Sequence, residues 1–166
     1  MGIPVHALRA LRLRPRNIPG PPLPVQFTAT TRLGRVKTAL INAAIIGSGG
    51  FLGALARYGL AGLVHRQLPL ATFPFGTLAV NLLGCLLIGV LAGLAESRQL
   101  FGPEFRMFAL IGLLGGFTTF STFGYETFAL IRDTEYLQAG ANIGIQVVGG
   151  LALLWLGYSL ASIEAG

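Results

Sequence analysis

An all-α membrane protein of four transmembrane helices is expected from three features of this chain. Only 11% of its 166 residues are charged while 53% are hydrophobic, and the mean hydropathy is +0.70. A soluble domain carries about 25% charged residues, so this composition cannot build a water-facing surface. The apolar residues fall into four long blocks. A helix crossing a hydrocarbon core of roughly 30 Å needs about 20 residues, and every block reaches that length. The blocks also lack period-two alternation and are too long for membrane strands. The length suits a single domain.

The elements follow in order. The first span is expected at about 38–64 and holds one charge, Arg57. The second, about 73–95, holds none. The third, about 105–131, carries Arg106 near its start and Glu126 near its end. The fourth, about 137–163, is uncharged. The linkers "HRQLPLAT", "ESRQLFGPE" and "RDTEY" are short and hold the turn and charge signals. Pro74 and Pro103 sit near helix starts, where a missing N–H costs little. Residues 38–164 therefore form one four-helix domain.

Residues 1–37 differ. They hold seven of the twelve Lys+Arg residues, and no acid occurs before Glu96. They lack the continuous apolar core of a secretory signal. Their arginines suit an organellar transit peptide, but the absence of serine argues against one. The expectation is a disordered basic tail, or residues added by an upstream start. With four spans, this tail and the second linker share one side. The positive-inside rule then places the N-terminus in the cytoplasm. Without the tail, Arg98 and Arg106 on one side balance Arg66 and Arg132 on the other. Such a core has no preferred orientation.

Soluble chemistry is excluded by what the spans contain. Cys85 stands alone, so it forms no intrachain disulfide and no metal site. His6 lies in the tail and His65 at a membrane edge. There is no phosphate-binding glycine loop after a strand and no paired carboxylate within a span, so no enzyme is expected. The basic tail lacks interleaved aromatics, so no nucleic-acid partner is expected either.

Polar groups at membrane depth remain, and these are costly in hydrocarbon. Arg57, in "GALARY", reads equally as a snorkelling anchor beside Tyr58 or as a group on a pathway. Gly49, Gly50, Gly53 and Ala54 before it permit close helix packing. Asn81 lies mid-span, with Thr77 one turn earlier on the same face. Its amide suits an interhelical hydrogen bond or a ligand contact. The stretch "GGFTTFSTF", residues 115–123, interrupts the third span. Gly115 and Gly116 weaken a helix there. Thr118, Thr119, Ser121 and Thr122 offer bonds that compete with the backbone. A break would free carbonyls suited to a bare cation, and irregular backbone at that depth belongs inside protein or around a cavity. Phe120 and Phe123 share one face, and aromatic rings carry a positive edge that can meet a small anion. Core packing is the plainer reading of the two rings. Glu126 is a proton carrier, a gate or an end-of-helix acid.

"GGFTTFSTF" followed by Glu126, together with "GALARY" and "FPFGTLAVNLLGCLLIG", resembles the Fluc (CrcB) family of fluoride channels. The resemblance covers about 45–160. It implies an antiparallel, dual-topology homodimer with two pores and a broken third helix in a bacterial plasma (inner) membrane. It implies that Phe120 and Phe123 line the pore with their ring edges and that Asn81 donates to fluoride. Thr77, Ser121, Thr122, Glu126 and Arg57 would lie along or near the pore. Carbonyls of Gly115 and Thr118 from both subunits would hold a structural Na⁺ at the dimer centre. Where the family carries a tyrosine and a serine on the fourth helix, this chain has Asn142 and Gln146. The basic tail would bias insertion one way, which makes a heterodimer with a paralogue the alternative partner to a homodimer. Membrane lipid completes the surroundings. Two other functions compete with fluoride conduction. They are a proton-coupled four-span exporter, for which Glu126 is the sole carrier, and a non-transporting membrane scaffold.

Overall fold

The computed structural model describes residues 29–97 and 101–163. It contains four helical segments long and apolar enough to cross a membrane, at Arg32–Gln67, Phe75–Glu96, Pro103–Arg132 and Tyr136–Ser162. No strand occurs among the described residues. The chain is thus a multi-pass helical membrane protein.

Helix α1 spans Ala29–Gln67. It begins ahead of the expected position 38, inside the segment assigned to a disordered tail. Arg32, Arg35 and Lys37 ride on its exposed early turns. Apolarity marks the lipid-embedded part of a helix, and a run of Leu, Arg, Val and Lys continues it into water at little cost in propensity. The tail's first 28 residues, with His6, and Arg98 of the second linker lie outside the described residues. Helix α2 spans Phe75–Ser97. The Pro74 carbonyl accepts the Leu78 amide, so the proline caps the first turn. Helix α3 covers 103–117, with Pro103 in its first turn. Its centre, Met107–Leu114, widens into π-helical turns. Helix α4 spans Phe120–Arg132. Helix α5 covers 136–163, with a second π-helical stretch at Ile145–Gly149. Between α4 and α5 the chain turns through Thr134, which takes a left-handed φ of 65°.

Glycine rows set the packing. Gly49 of α1 lies against Gly112 of α3, Gly50 against Gly116, and Gly53 against the backbone of Leu113 and Phe117. A Cβ on Gly116 would lie 2.5 Å from the Gly50 carbonyl oxygen, and one on Gly112 would lie 2.7 Å from that of Ile46. A Cβ on Gly53 would run into the Leu113 carbonyl. The α1 and α3 backbones therefore touch, as small-residue rows allow in lipid. Helices α2 and α5 repeat the device: a Cβ on Gly89 would strike the Leu154 carbonyl, and one on Gly157 the Leu86 carbonyl. The remaining surface is apolar. Leu40, Phe51, Ile111, Phe128, Val148 and Trp155 are exposed, as lipid or a second copy would require.

Candidate functional site

The third span is broken where the hydroxyl-rich stretch lies. Thr118 (φ −80°, ψ 157°) and Thr119 (φ −150°, ψ 112°) are extended between α3 and α4. Thr119 caps α4, its Oγ1 accepting the Thr122 amide. The break rests on α2, because the Thr118 methyl occupies the space a Cβ on Gly84 would take. Of the two glycines, Gly116 is a packing residue against Gly50, whereas Gly115 is exposed and a Cβ there would meet only the Leu110 carbonyl, at 3.9 Å.

Several main-chain groups around the break find side-chain partners. In an unbroken helix the Thr119 amide would close on the Gly115 carbonyl; it donates to Asn81 Oδ1 instead, at 2.9 Å. The Thr122 amide would close on the Thr118 carbonyl and goes to Thr119 Oγ1. Arg57 Nε donates to the Gly116 carbonyl at 3.2 Å. Asn81 Nδ2 donates to the Thr119 carbonyl at 3.2 Å. The carbonyls of Gly115, Phe117 and Thr118 are thus left without their helical donors. Gly115 and Thr118 among them are the two named above as cation ligands.

Arg57 does not snorkel. It is half-buried and turns inward to the end of α3, satisfying a carbonyl the break exposes. Thr77 is buried, and its Oγ1 donates to Glu126 Oε1 at 2.7 Å. Glu126 Oε2 is buried with no partner among the described residues. Thr77 and Asn81 share a helix face but reach different partners. Ser121 and Thr122 gather around Thr119: its Oγ1 donates to Thr122 Oγ1 at 3.0 Å and lies 3.3 Å from Ser121 Oγ.

Phe120 and Phe123 are neighbours, with ring centroids 5.5 Å apart and planes tilted by 57°. Phe120 is 83% exposed, so its ring is little covered by the described residues, with Phe123 as its aromatic neighbour. Core packing therefore does not explain it. The two rings, Asn81, Gln146, Gly115 and Thr118 line one cleft of about 420 Å³. A wider cleft of about 930 Å³ is lined by Arg57, His65, Arg66, Thr77, Thr122 and Glu126. Thr119 belongs to both walls, so the break lies between the two clefts. Just past the third span, Asp133 accepts a hydrogen bond from the exposed Arg132 side chain, which holds the Asp133 carboxyl below its usual value.

Asn142 and Gln146 join this site through contacts the sequence alone does not display. Gln146 Oε1 accepts from Asn81 Nδ2 at 2.7 Å, and Gln146 Nε2 donates to Asn142 Oδ1 at 3.0 Å. Asn142, at 0% exposure, donates through Nδ2 to Thr127 Oγ1 at 2.9 Å. Thr127 in turn donates to the Phe123 carbonyl at 2.8 Å. Thr127 had no signal of its own beyond its position one turn after Phe123. A consequence for Asn81 follows. Both hydrogens of its amide nitrogen are engaged, one by Gln146 and one by the Thr119 carbonyl. The expectation that Asn81 simply points free donors into a pathway needs that adjustment.

Residues 44–158 match the family model described as "CrcB-like protein, Camphor Resistance (CrcB)". Among curated relatives, the "Fluoride-specific ion channel FluC" of Nitratidesulfovibrio vulgaris (strain Miyazaki F) is 49% identical over 113 residues, 68% of this chain and 90% of the relative. The protein of the same description from Methylobacillus flagellatus is 44% identical over 119 residues, 72% of this chain and 93% of the relative. That from Chlorobaculum tepidum is 47% identical over 124 residues, covering 74% and 95%.

Proposed function

The chain belongs to the CrcB family, and on that premise we propose that it is a fluoride-specific ion channel and not an enzyme. The relatives of known description are fluoride channels. The observation that carries the reading is the narrow cleft at the helix break. It is lined by two side-chain amides, two threonines and two aromatic rings at membrane depth, with no carboxylate on its wall. A small, strongly hydrated anion needs donors in place of water. Ring edges and neutral amides supply positive potential without the formal charge that would trap it.

Fluoride enters a cell as neutral HF, dissociates and is held by its charge. An open anion-selective path lets it leave passively. Arg57, His65 and Arg66 make the wider cleft attractive to anions. The anion then passes the hydroxyls of Thr122 and Ser121 near Thr119 and reaches Phe120, Phe123 and Asn81. Thr77 holds Glu126 by one oxygen, which keeps that acid at the side of the route.

A structural Na⁺ fits the carbonyls of Gly115 and Thr118, which the break leaves without helical donors. Two carbonyls are fewer ligands than an alkali cation takes. A second copy would bring two more, and bound Na⁺ would add local positive potential. Extended backbone at membrane depth belongs inside protein. The exposure of Phe120 and Gly115 beside it therefore favours a second copy over lipid on this face. The balanced charges of the core suit an antiparallel, dual-topology homodimer in a bacterial inner membrane. The arginines ahead of α1 favour a paralogue as partner if they impose one orientation.

Growth tests this reading. Expression in a bacterium stripped of its own fluoride export should restore growth in fluoride medium. No protection by a protein present in the membrane, alone or beside a paralogue, would refute it.

A further inference from the structure

The hydrogen-bond chain from the break into α5 has a fixed direction. A main-chain amide can only donate, so Thr119 N–H makes the Asn81 atom facing it the oxygen. Asn81 then presents Nδ2 to Gln146, which must answer with Oε1. Gln146 gives Nε2 to Asn142 Oδ1, Asn142 gives Nδ2 to Thr127, and the Thr127 hydroxyl ends on the Phe123 carbonyl, which can only accept. As it stands, this arrangement is poor for an anion. The Gln146 carbonyl oxygen consumes an Asn81 hydrogen on the wall of the cleft that holds the two rings.

One member can reverse without losing its place. A hydroxyl both donates and accepts, so Thr127 can turn from the Phe123 carbonyl to donate to Asn142 Oδ1. Asn142 then donates to Gln146 Oε1, and Gln146 turns Nε2 toward the cleft. The reversal releases the Asn81 hydrogen now held by Gln146, so two amide donors converge. Its cost is two hydrogen bonds, that of Thr127 to the Phe123 carbonyl inside α4 and that of Asn81 to Gln146, and an anion between the two amides takes the place of the second. An anion in the cleft repels the Gln146 oxygen and attracts its nitrogen, and so favours the reversed state.

We propose that Gln146 is a second donor to the anion, presented by reversal of the side-chain relay Asn81–Gln146–Asn142–Thr127. Asn142 and Thr127 are positioning residues: they touch no anion and set which end of the Gln146 amide faces the cleft. This inference rests on fluoride being the conducted ion.

The test has two parts. With side-chain amides of asparagine and glutamine labelled with ¹⁵N, the wild-type protein in lipid nanodiscs is titrated with sodium fluoride in place of sodium chloride. The Gln146 signal is assigned by its loss in Gln146→Met. Saturable fluoride shifts at Gln146 and Asn142 together are expected. Shifts at Asn81 with Gln146 and Asn142 unmoved would overturn the relay while leaving fluoride binding intact. Fluoride efflux from liposomes gives the second readout. Gln146→Met keeps the side chain's reach and removes its donor, so efflux should fall at least about tenfold. If Gln146 merely competes with the anion for Asn81, the same substitution leaves efflux equal or faster, and the proposal fails. An absence of fluoride efflux from the wild-type protein would instead overturn the fluoride reading, and this inference with it.

Discussion

Asn81 Oδ1 takes the place of a main-chain carbonyl: it accepts the Thr119 amide at 2.9 Å where the third span stops being a helix. One side chain on α2 thereby stabilises the break in a different span. Its own nitrogen returns to the Thr119 carbonyl, so the contact is reciprocal. Breaking a helix in lipid exposes groups worth several kcal/mol each if left unsatisfied. Asn81 and Arg57 together meet two of those groups, the Thr119 amide and the Gly116 carbonyl.

Asn81→Asp keeps the acceptor for Thr119 and removes both donors. Fluoride efflux should fall by about two orders of magnitude, because a negative acceptor then faces the anion. Asn81→Leu should in addition lower stability, since a buried amide without its partner costs about 1–3 kcal/mol. Efflux and thermal unfolding in detergent separate the two effects. Undiminished efflux in Asn81→Asp would contradict the assignment.

Phe120→Ile and Phe123→Ile each remove a ring edge while keeping the site apolar. An edge contact worth about 1 kcal/mol corresponds to about fivefold in rate. Fluoride efflux should drop by at least that factor, with the elution profile of the protein unchanged. Wild-type efflux in both variants would remove the ring-edge role.

Gly53→Leu places a side chain where the Leu113 carbonyl lies. Overpacking of this kind costs about 1–3 kcal/mol or more. The variant should be recovered poorly or unfold at lower temperature. Gly59→Ala on the same helix meets nothing within 4 Å and serves as the neutral comparison. Equal thermal stability of the two would show that α1 and α3 need not touch.

Thr77→Val removes the donor that Glu126 has among the described residues. A stability loss of about 1–3 kcal/mol is expected. In a Glu126→Leu background the same change should cost much less, because no acceptor is left to orphan. Additive losses in that double-mutant cycle would mean that Thr77 and Glu126 do not interact.

Much of this could be read before the fold was known. Apolar length gave four spans, and Gly115, Gly116 and the hydroxyls marked the break. The sequence could not divide labour between the two glycines, because that depends on Gly50 lying against Gly116 and on Gly115 being exposed. The inward turn of Arg57 was hidden for the same reason: its partner is 59 residues away. Asn142 and Gln146 stood out as departures from the family pattern. Their linkage to Asn81 and Thr127 joins three helices, and periodicity along one helix cannot express it. The early start of α1 was missed because hydropathy reports the lipid-embedded part of a helix and not its full length.

Ion efflux from liposomes holding the purified protein, read together by fluoride- and chloride-selective electrodes, tests the central claim most directly. Rapid fluoride loss with chloride retained is the predicted result. Equal loss of both ions, or retention of both by protein that is folded and inserted, alone or beside a paralogue, would contradict a selective fluoride path at the Asn81–Thr119 break.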